Sequence, residues 1–153
     1  MDLVAGHAKE ILLALEMNDL DGLEDRRRFP AHVALGGGLD PTWQDLYAEA
    51  IRGVTDRPDP TNFLEARIEL AGPGDDTGRT IERVDPDWID AVARIRDGEI
   101  GAIAAGWIDL LEEELGDLPR EEKPWIRELA GRLVAFCRAA DHHPDVRFAW
   151  SLR

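Results

Sequence analysis

Two histidines and two aspartates stand within five residues near the end of the sequence, in Asp141-His142-His143-Pro144-Asp145. Imidazole nitrogens and carboxylate oxygens are common ligands of divalent metal ions. The same groups exchange protons near neutral pH, which suits them to act as a general acid and a general base. His142 and His143 are therefore candidate catalytic residues, and candidate metal ligands are Asp141, His142, His143 and Asp145.

This stretch, Ala140–Val146, resembles the His-His-Pro-(Asp/Glu) motif of the pterin-4a-carbinolamine dehydratases, which are small α+β enzymes. In that family the histidine pair also lies between a helix and a strand. The resemblance implies that His142 and His143 form the catalytic, pterin-contacting pair. The family has a further histidine on a later strand, whereas no histidine follows His143 here. His7 or His32 would have to take its place.

A second group of candidates lies between residues 109 and 122, where seven carboxylates accompany one arginine, Arg120. Carboxylates near the C-terminal end of a helix oppose the helix dipole, so helix stability does not favour them there. Such a run is typical of a solvated helix end, and it also suits a surface that binds a basic protein or divalent cations. The candidate partner-binding residues are Asp109, Glu112, Glu113, Glu114, Asp117, Glu121 and Glu122.

The charge of the whole chain also favours a basic partner. There are 32 acidic and 18 basic residues, giving a formal net charge of −14. This excess disfavours binding to nucleic acid and to anionic membranes, because both depend on Lys and Arg. The basic run Arg26-Arg27-Arg28 stands out against it. We expect these arginines to pair with carboxylates of the same chain, with an anionic ligand as the alternative.

Other patterns limit the chemistry further. The single cysteine, Cys137, rules out an internal disulfide and a multi-cysteine metal site, and its place on an apolar helical face predicts that it is buried. The glycine triplet Gly36-Gly37-Gly38 matches no nucleotide-binding fingerprint. It is interpreted as a connection between a strand and a helix, with phosphate binding as the alternative. We therefore expect no cofactor.

The beginning of the chain and its hydropathy predict a cytoplasmic protein. Met1-Asp2-Leu3 lacks the basic region of a secretory signal, and no window approaches the ~20 apolar residues that span a bilayer. The basic residues are almost all arginine, which is typical of a GC-rich bacterial or archaeal genome or of salt adaptation.

Apolar residues at helical spacing predict five helices. The first is capped by Asp2 and has Val4, Ile11 and Leu15 on its inner face. The second and third begin at Asp40-Pro41 and Asp85-Pro86, where proline suits the first helical position. The fourth runs up to Gly116 with Leu115 facing inward, and the fifth follows Pro119 and Pro124 and ends near Ala140.

Alternating patterns predict strands over residues 64–70 and 146–152. Residues 29–35 are interpreted as a further short strand, and residues 79–84 as the second arm of a hairpin with 64–70. We therefore predict one α+β domain over residues 1–153, with about five helices packed on a small mixed or antiparallel sheet of about four strands. Most of the five tryptophans should lie in its core.

Two functions are compatible with these observations. The first is a non-catalytic protein-interaction domain, such as an inhibitor or immunity-type protein, which binds a basic partner through the segment 109–122. The alternative is a small enzyme, or a metal- or pterin-binding protein, that uses His142 and His143. The sequence does not specify an oligomeric state.

Overall fold

The computed structural model describes residues 2–19, 21–36, 41–55, 64–68, 79–141 and 146–151, of which 64–68, 79–81 and 146–151 are described by their backbone. The order of elements is β1 (Asp2–Ala5), α1 (Ala8–Glu16), β2 (Ala31–Ala34), α2 (Pro41–Val54), β3 (Leu64–Ile68), β4 (Arg79–Val84), α3 (Pro86–Ala93), α4 (Asp97–Leu115), α5 (Glu122–Ala140) and β5 (Val146–Ser151). A short 3₁₀ turn, Asp21–Glu24, lies between α1 and β2.

The strands of the described residues form one antiparallel sheet in the order β2-β1-β5-β4-β3. β3 and β4 pair as the predicted hairpin, and β5 lies at the centre between β1 and β4. The mixed α+β class, the five helices and an antiparallel sheet are thus confirmed. The extent of the domain, predicted as residues 1–153, stays a prediction.

The described residues contain five strands where four are predicted, because the prediction of a helix beginning at Asp2 is wrong. Residues Asp2–Ala5 form β1, and α1 begins only at Ala8. Val4 fits a helical stripe equally well, but in the fold it pairs with His32 on one side and Arg147 on the other. Pairing with strands distant in the sequence therefore overrides the local periodicity.

The two faces of β1 enter different hydrophobic clusters. Leu3 and Ala5 belong to the large core, which holds the buried side chains of α2, α3, α4 and α5. Val4 lies in a smaller cluster with Leu23, Phe29 and the inner face of α1. Successive side chains of a strand point to opposite faces, so α1 packs on the side of the sheet opposite to the other helices.

Two helix ends, the start of α3 and the end of α4, lie where the sequence predicts them. The carboxylate of Asp85 accepts a hydrogen bond of 2.8 Å from the backbone N–H of Asp87, and Pro86 follows at the first helical position. Gly116 ends α4 with φ of 89°, a left-handed conformation that favours glycine. Helix α2 begins at Pro41, and its predicted cap Asp40 lies outside the described residues.

Aromatic side chains join α2 and α4 in the centre of the large core. The indole N–H of Trp107 donates to the carbonyl of Trp43 at 2.9 Å, and the two rings meet edge to face. Tyr47 lies 4.7 Å from the Trp107 ring, measured between centroids, and its hydroxyl donates to the carbonyl of Ala130 in α5 at 3.3 Å. One aromatic group thus contacts three helices.

Most predictions about core residues hold. Trp43, Trp88, Trp107 and Cys137 are buried, while Trp125 is only partly buried. The prediction that Leu115 faces inward is wrong, because its side chain is 56% exposed. It is the last residue of α4, where the helix has already passed the end of the core.

Gln44 is a polar residue inside this core. It is fully buried, and neither atom of its amide has a hydrogen-bond partner among the described residues. An unsatisfied buried polar group costs about 1–3 kcal/mol. We expect Gln44→Met, which keeps an unbranched side chain of similar length, to raise the free energy of unfolding by about 1 kcal/mol or more. Urea denaturation would show it as a higher midpoint with an unchanged slope, and a lower midpoint would contradict it.

Candidate functional site

The histidine pair cannot be placed in the fold, since His142, His143 and Asp145 lie outside the described residues. Asp141 follows α5 directly and is exposed. Within the described ranges no group of three potential ligands (His, Cys, Asp or Glu) is arranged to hold a metal ion. The catalytic and metal-binding roles of this segment therefore stay predictions.

The acidic segment occupies the end of α4, the loop after it and the first residue of α5. Six of its seven carboxylate side chains belong to exposed residues, and we call these six the acidic surface. They are Asp109, Glu113, Glu114, Asp117, Glu121 and Glu122. The exposed Leu115 stands among them, so this surface combines negative charge with an apolar side chain.

Glu112 differs from the other six because it is engaged within the chain. Its carboxylate pairs with the ammonium of Lys123 at 2.5 Å and accepts a 3.3 Å hydrogen bond from the backbone N–H of Leu118. The hydrogen bond from Lys123 is the main cause that lowers the pKa of Glu112. The pair therefore stabilises the connection between α4 and α5 at neutral pH, and this contribution is lost as the pH falls through that pKa.

A groove lies between α2 and α4 at the edge of the acidic surface. Its lining includes the small or apolar residues Ala50, Gly53, Gly106 and Leu110, and its volume is about 430 Å³. Glu49 and Asp109, both exposed, line it together with Arg52 and Val54. We call it the α2–α4 groove.

Asp109 connects this groove to the rest of the acidic surface. Glu113 lies four residues further along α4, which places it one turn away on nearly the same side of the helix. Arginine and lysine combine a long alkyl stem with a charged end. A groove lined by apolar residues and by the carboxylates of Glu49 and Asp109 suits such a side chain.

Sequence reasoning missed an ionic cluster around His32 on β2. The imidazole Nδ1 lies 2.9 Å from a carboxylate oxygen of Glu24, and Nε2 lies 3.0 Å from Asp2. The side chain of His32 is only 5% exposed. Because both nitrogens are occupied, His32 has no free nitrogen with which to bind or deprotonate a substrate.

The signal for this cluster was weak in the sequence. His32 stands between Ala31 and Val33, where the alternation of a strand separates its face from theirs. The sequence predicts Asp2 as a helix cap, whereas its pairing with His32 depends on β1 and β2 being neighbours. The cluster therefore depends on the order of the strands in the sheet, which no local pattern in the sequence indicates.

Two of the three arginines before β2, Arg26 and Arg28, pair with carboxylates of the same chain, as predicted, whereas Arg27 uses its backbone N–H to donate to Asp25. Arg26 lies 3.4 Å from Glu24, and Arg28 lies 3.6 Å from Asp19 and 3.8 Å from Glu10. The guanidinium of Arg28 also stacks over the ring of Phe29. These pairs are exposed, so each contributes little to stability.

Comparison with known proteins gave no relative, since no family model, curated protein or solved structure matches this chain. Within the described parts of the chain, none of the helices has both the length and the apolar character needed to cross a membrane.

Proposed function

We propose that this protein acts as a non-catalytic interaction domain, of the inhibitor or immunity type, that binds a basic protein through the acidic surface. The observation that carries the proposal is the contiguity of this surface with the α2–α4 groove. Exposed carboxylates alone are common on solvated helices. Here Asp109 belongs both to the acidic surface and to the lining of a groove that also holds apolar residues.

The chemistry of the surface specifies the kind of partner. A lysine or arginine of the partner would place its alkyl stem over Ala50 and Leu110, with its charge close to Glu49 or Asp109. Exposed Leu115, and Val54 at 38% exposure, add apolar area of the sort that lies at the centre of interfaces. The surrounding carboxylates would attract the partner from a distance and select against acidic proteins.

The charge of the chain supports the same proposal. With a formal net charge of −14, the protein repels nucleic acids and other acidic proteins over the Debye length, about 8 Å at physiological salt. A basic partner is attracted, and its association rate should fall as salt is added. Glu112 is excluded from the proposed contact, because Lys123 and Leu118 already occupy its carboxylate.

A charge-reversal experiment tests the proposal. Glu113, Glu114 and Asp117 are replaced by Lys, while Glu112 is retained so that the connection to α5 stays intact. The control variant carries Lys at Glu16, Asp21 and Glu128, which are exposed carboxylates outside the acidic surface. Both variants change the net charge equally, so only the position of the charge differs.

The measurement is recovery of proteins from a cell lysate on the immobilised chain, followed by determination of the affinity of each recovered protein at two salt concentrations. We expect the recovered proteins to be basic. Their affinity for the reversed variant should be at least about tenfold lower, because close charge pairs at the interface are lost. The control variant should bind within about twofold of the unaltered chain. Equal loss in both variants, or no loss in either, would contradict docking at the acidic surface.

A further inference from the structure

A second groove lies between the edge of the sheet and α5, and it shares no residue with the acidic surface or the α2–α4 groove. One wall comes from β2 and the turn before it, with Arg26, Pro30 and His32 among its residues. The other wall is a stripe of α5, and the volume is about 250 Å³. We call it the β2–α5 groove.

The sequence of α5 explains why there is space here. Its residues in the groove are Arg132, Ala135, Phe136 and Ala139, whose spacing places them on one face of the helix. The two alanines leave room that larger side chains would fill. Phe136 is buried and supplies an aromatic surface, while Ala135 and Ala139 are exposed at the opening.

Positive charge approaches this groove from both walls. Arg132 donates to the carbonyl of Ala34 at 3.2 Å and has no carboxylate partner among the described residues. Arg28 and Arg138, in contrast, each lie within 4 Å of a carboxylate. The planar guanidinium of Arg132 has five N–H donors, of which the bond to Ala34 uses one.

Arg26 is positioned by the His32 cluster. Glu24 uses one carboxylate oxygen for His32, at 2.9 Å, and the other for Arg26, at 3.4 Å. The carboxylate of Glu24 is thus shared between His32 and Arg26. Asp2 lies on the far nitrogen of His32, and Arg132 stands across the groove from this cluster.

We propose that the β2–α5 groove binds a small organic carboxylate with an apolar body. The guanidinium group forms paired hydrogen bonds with a carboxylate, which accounts for the charged end of the ligand. Phe136, Val33 and Pro30 supply the surface for its apolar part. A cavity of about 150 Å³ accommodates benzene, so a groove of this volume matches a ligand of the size of benzoate.

Benzoate is the probe for the test, and NMR chemical shifts of the backbone amides are the readout. We expect saturable shifts at residues 31–33 and 132–139. Benzyl alcohol, which has the ring without the charge, and acetate, which has the charge without the ring, should each bind at least about tenfold more weakly.

Three variants locate the site. Arg132→Gln removes the charge and should weaken benzoate binding by about tenfold or more, the usual effect of losing a charge-assisted hydrogen bond. Ala139→Phe fills the opening from an exposed position and should abolish binding while leaving the fold intact. Arg127→Gln, an exposed arginine of α5 outside the groove, is the matched control and should bind within about twofold of the unaltered chain.

The proposal would be overturned by any of four results, of which the first three concern saturable binding, the charge of the ligand and the variants. These are the absence of saturable binding up to the solubility of benzoate, equal binding of benzoate and benzyl alcohol, and unchanged affinity in both Arg132→Gln and Ala139→Phe. Equal binding of acetate and benzoate would also overturn it, because the apolar wall would then have no role. Circular dichroism of each variant, recorded before titration, separates a lost site from a lost fold.

Discussion

Replacing Trp107 by Ala should lower the free energy of unfolding by about 3–5 kcal/mol, the usual cost of removing a large aromatic side chain from a core. Trp107 is fully buried, packs against Trp43 and Tyr47, and donates its indole N–H to the backbone of α2. The substitution removes all these contacts and leaves a cavity between α2 and α4. Such a loss is a large part of the 5–15 kcal/mol that typical proteins possess.

Urea denaturation followed by circular dichroism measures this effect. Trp107→Phe retains an aromatic ring but loses the N–H donor, so it should lower the free energy of unfolding less than Trp107→Ala does. It provides a folded variant for the measurement if Trp107→Ala does not fold. Trp125→Ala is the matched control, because Trp125 is only partly buried. We expect its cost to be less than half that of Trp107→Ala, and an equal cost for both tryptophans would contradict the central role of Trp107.

The protein should lose stability steeply at alkaline pH. Burial raises the pKa of the Cys137 thiol well above its ordinary value of 9.0, and burial also raises the pKa of the Tyr47 hydroxyl above 10.0. Both groups stay protonated in the folded state while the unfolded chain ionises them. The contribution of these two groups to stability is therefore fully present below their unfolded pKa values. Above those values the free energy of unfolding falls by about 1.4 kcal/mol per pH unit for each group.

The variants Cys137→Ala and Tyr47→Phe test this dependence, alone and together. The free energy of unfolding is measured by urea denaturation at intervals between about pH 8 and pH 11, the range over which free thiols and phenols ionise. Each variant should be less stable than the unaltered chain at neutral pH but should show a shallower decline, with the double variant shallowest. A decline as steep in the double variant as in the unaltered chain would assign the effect to other groups.

Sequence patterns were most informative where the relevant contacts are local. The hairpin of β3 and β4 followed from the alternation in residues 64–70 and from the glycine-rich sequence of residues 72–78 after it. The cap at Asp85 depends on a proline and a hydrogen bond two residues away. The burial of Cys137 followed from its place on one face of α5. In each case a few neighbouring residues determine the geometry.

The candidate sites were less predictable for the opposite reason. Exposure of the acidic surface could be anticipated from its composition, but the engagement of Glu112 by Lys123 required the connection between α4 and α5 to fold back. The α2–α4 groove joins Glu49 with Asp109 only because these helices pack together. Leu115 fits the apolar stripe of α4, yet it is exposed because the core ends before the helix does.

The amino-acid sequence by itself determined the α+β class, four of the strands, the helical faces and a strongly acidic surface, since periodicity and composition report contacts between near neighbours. Only the tertiary structure decided that Asp2–Ala5 is a strand, because its pairing with β2 and β5 stabilises that conformation. The same sheet order brings Asp2 and His32 together, and packing of α5 beside β2 forms the groove between Arg26 and Arg132. Contacts between residues far apart in the chain leave no periodic pattern, so they become visible only once the elements are assembled.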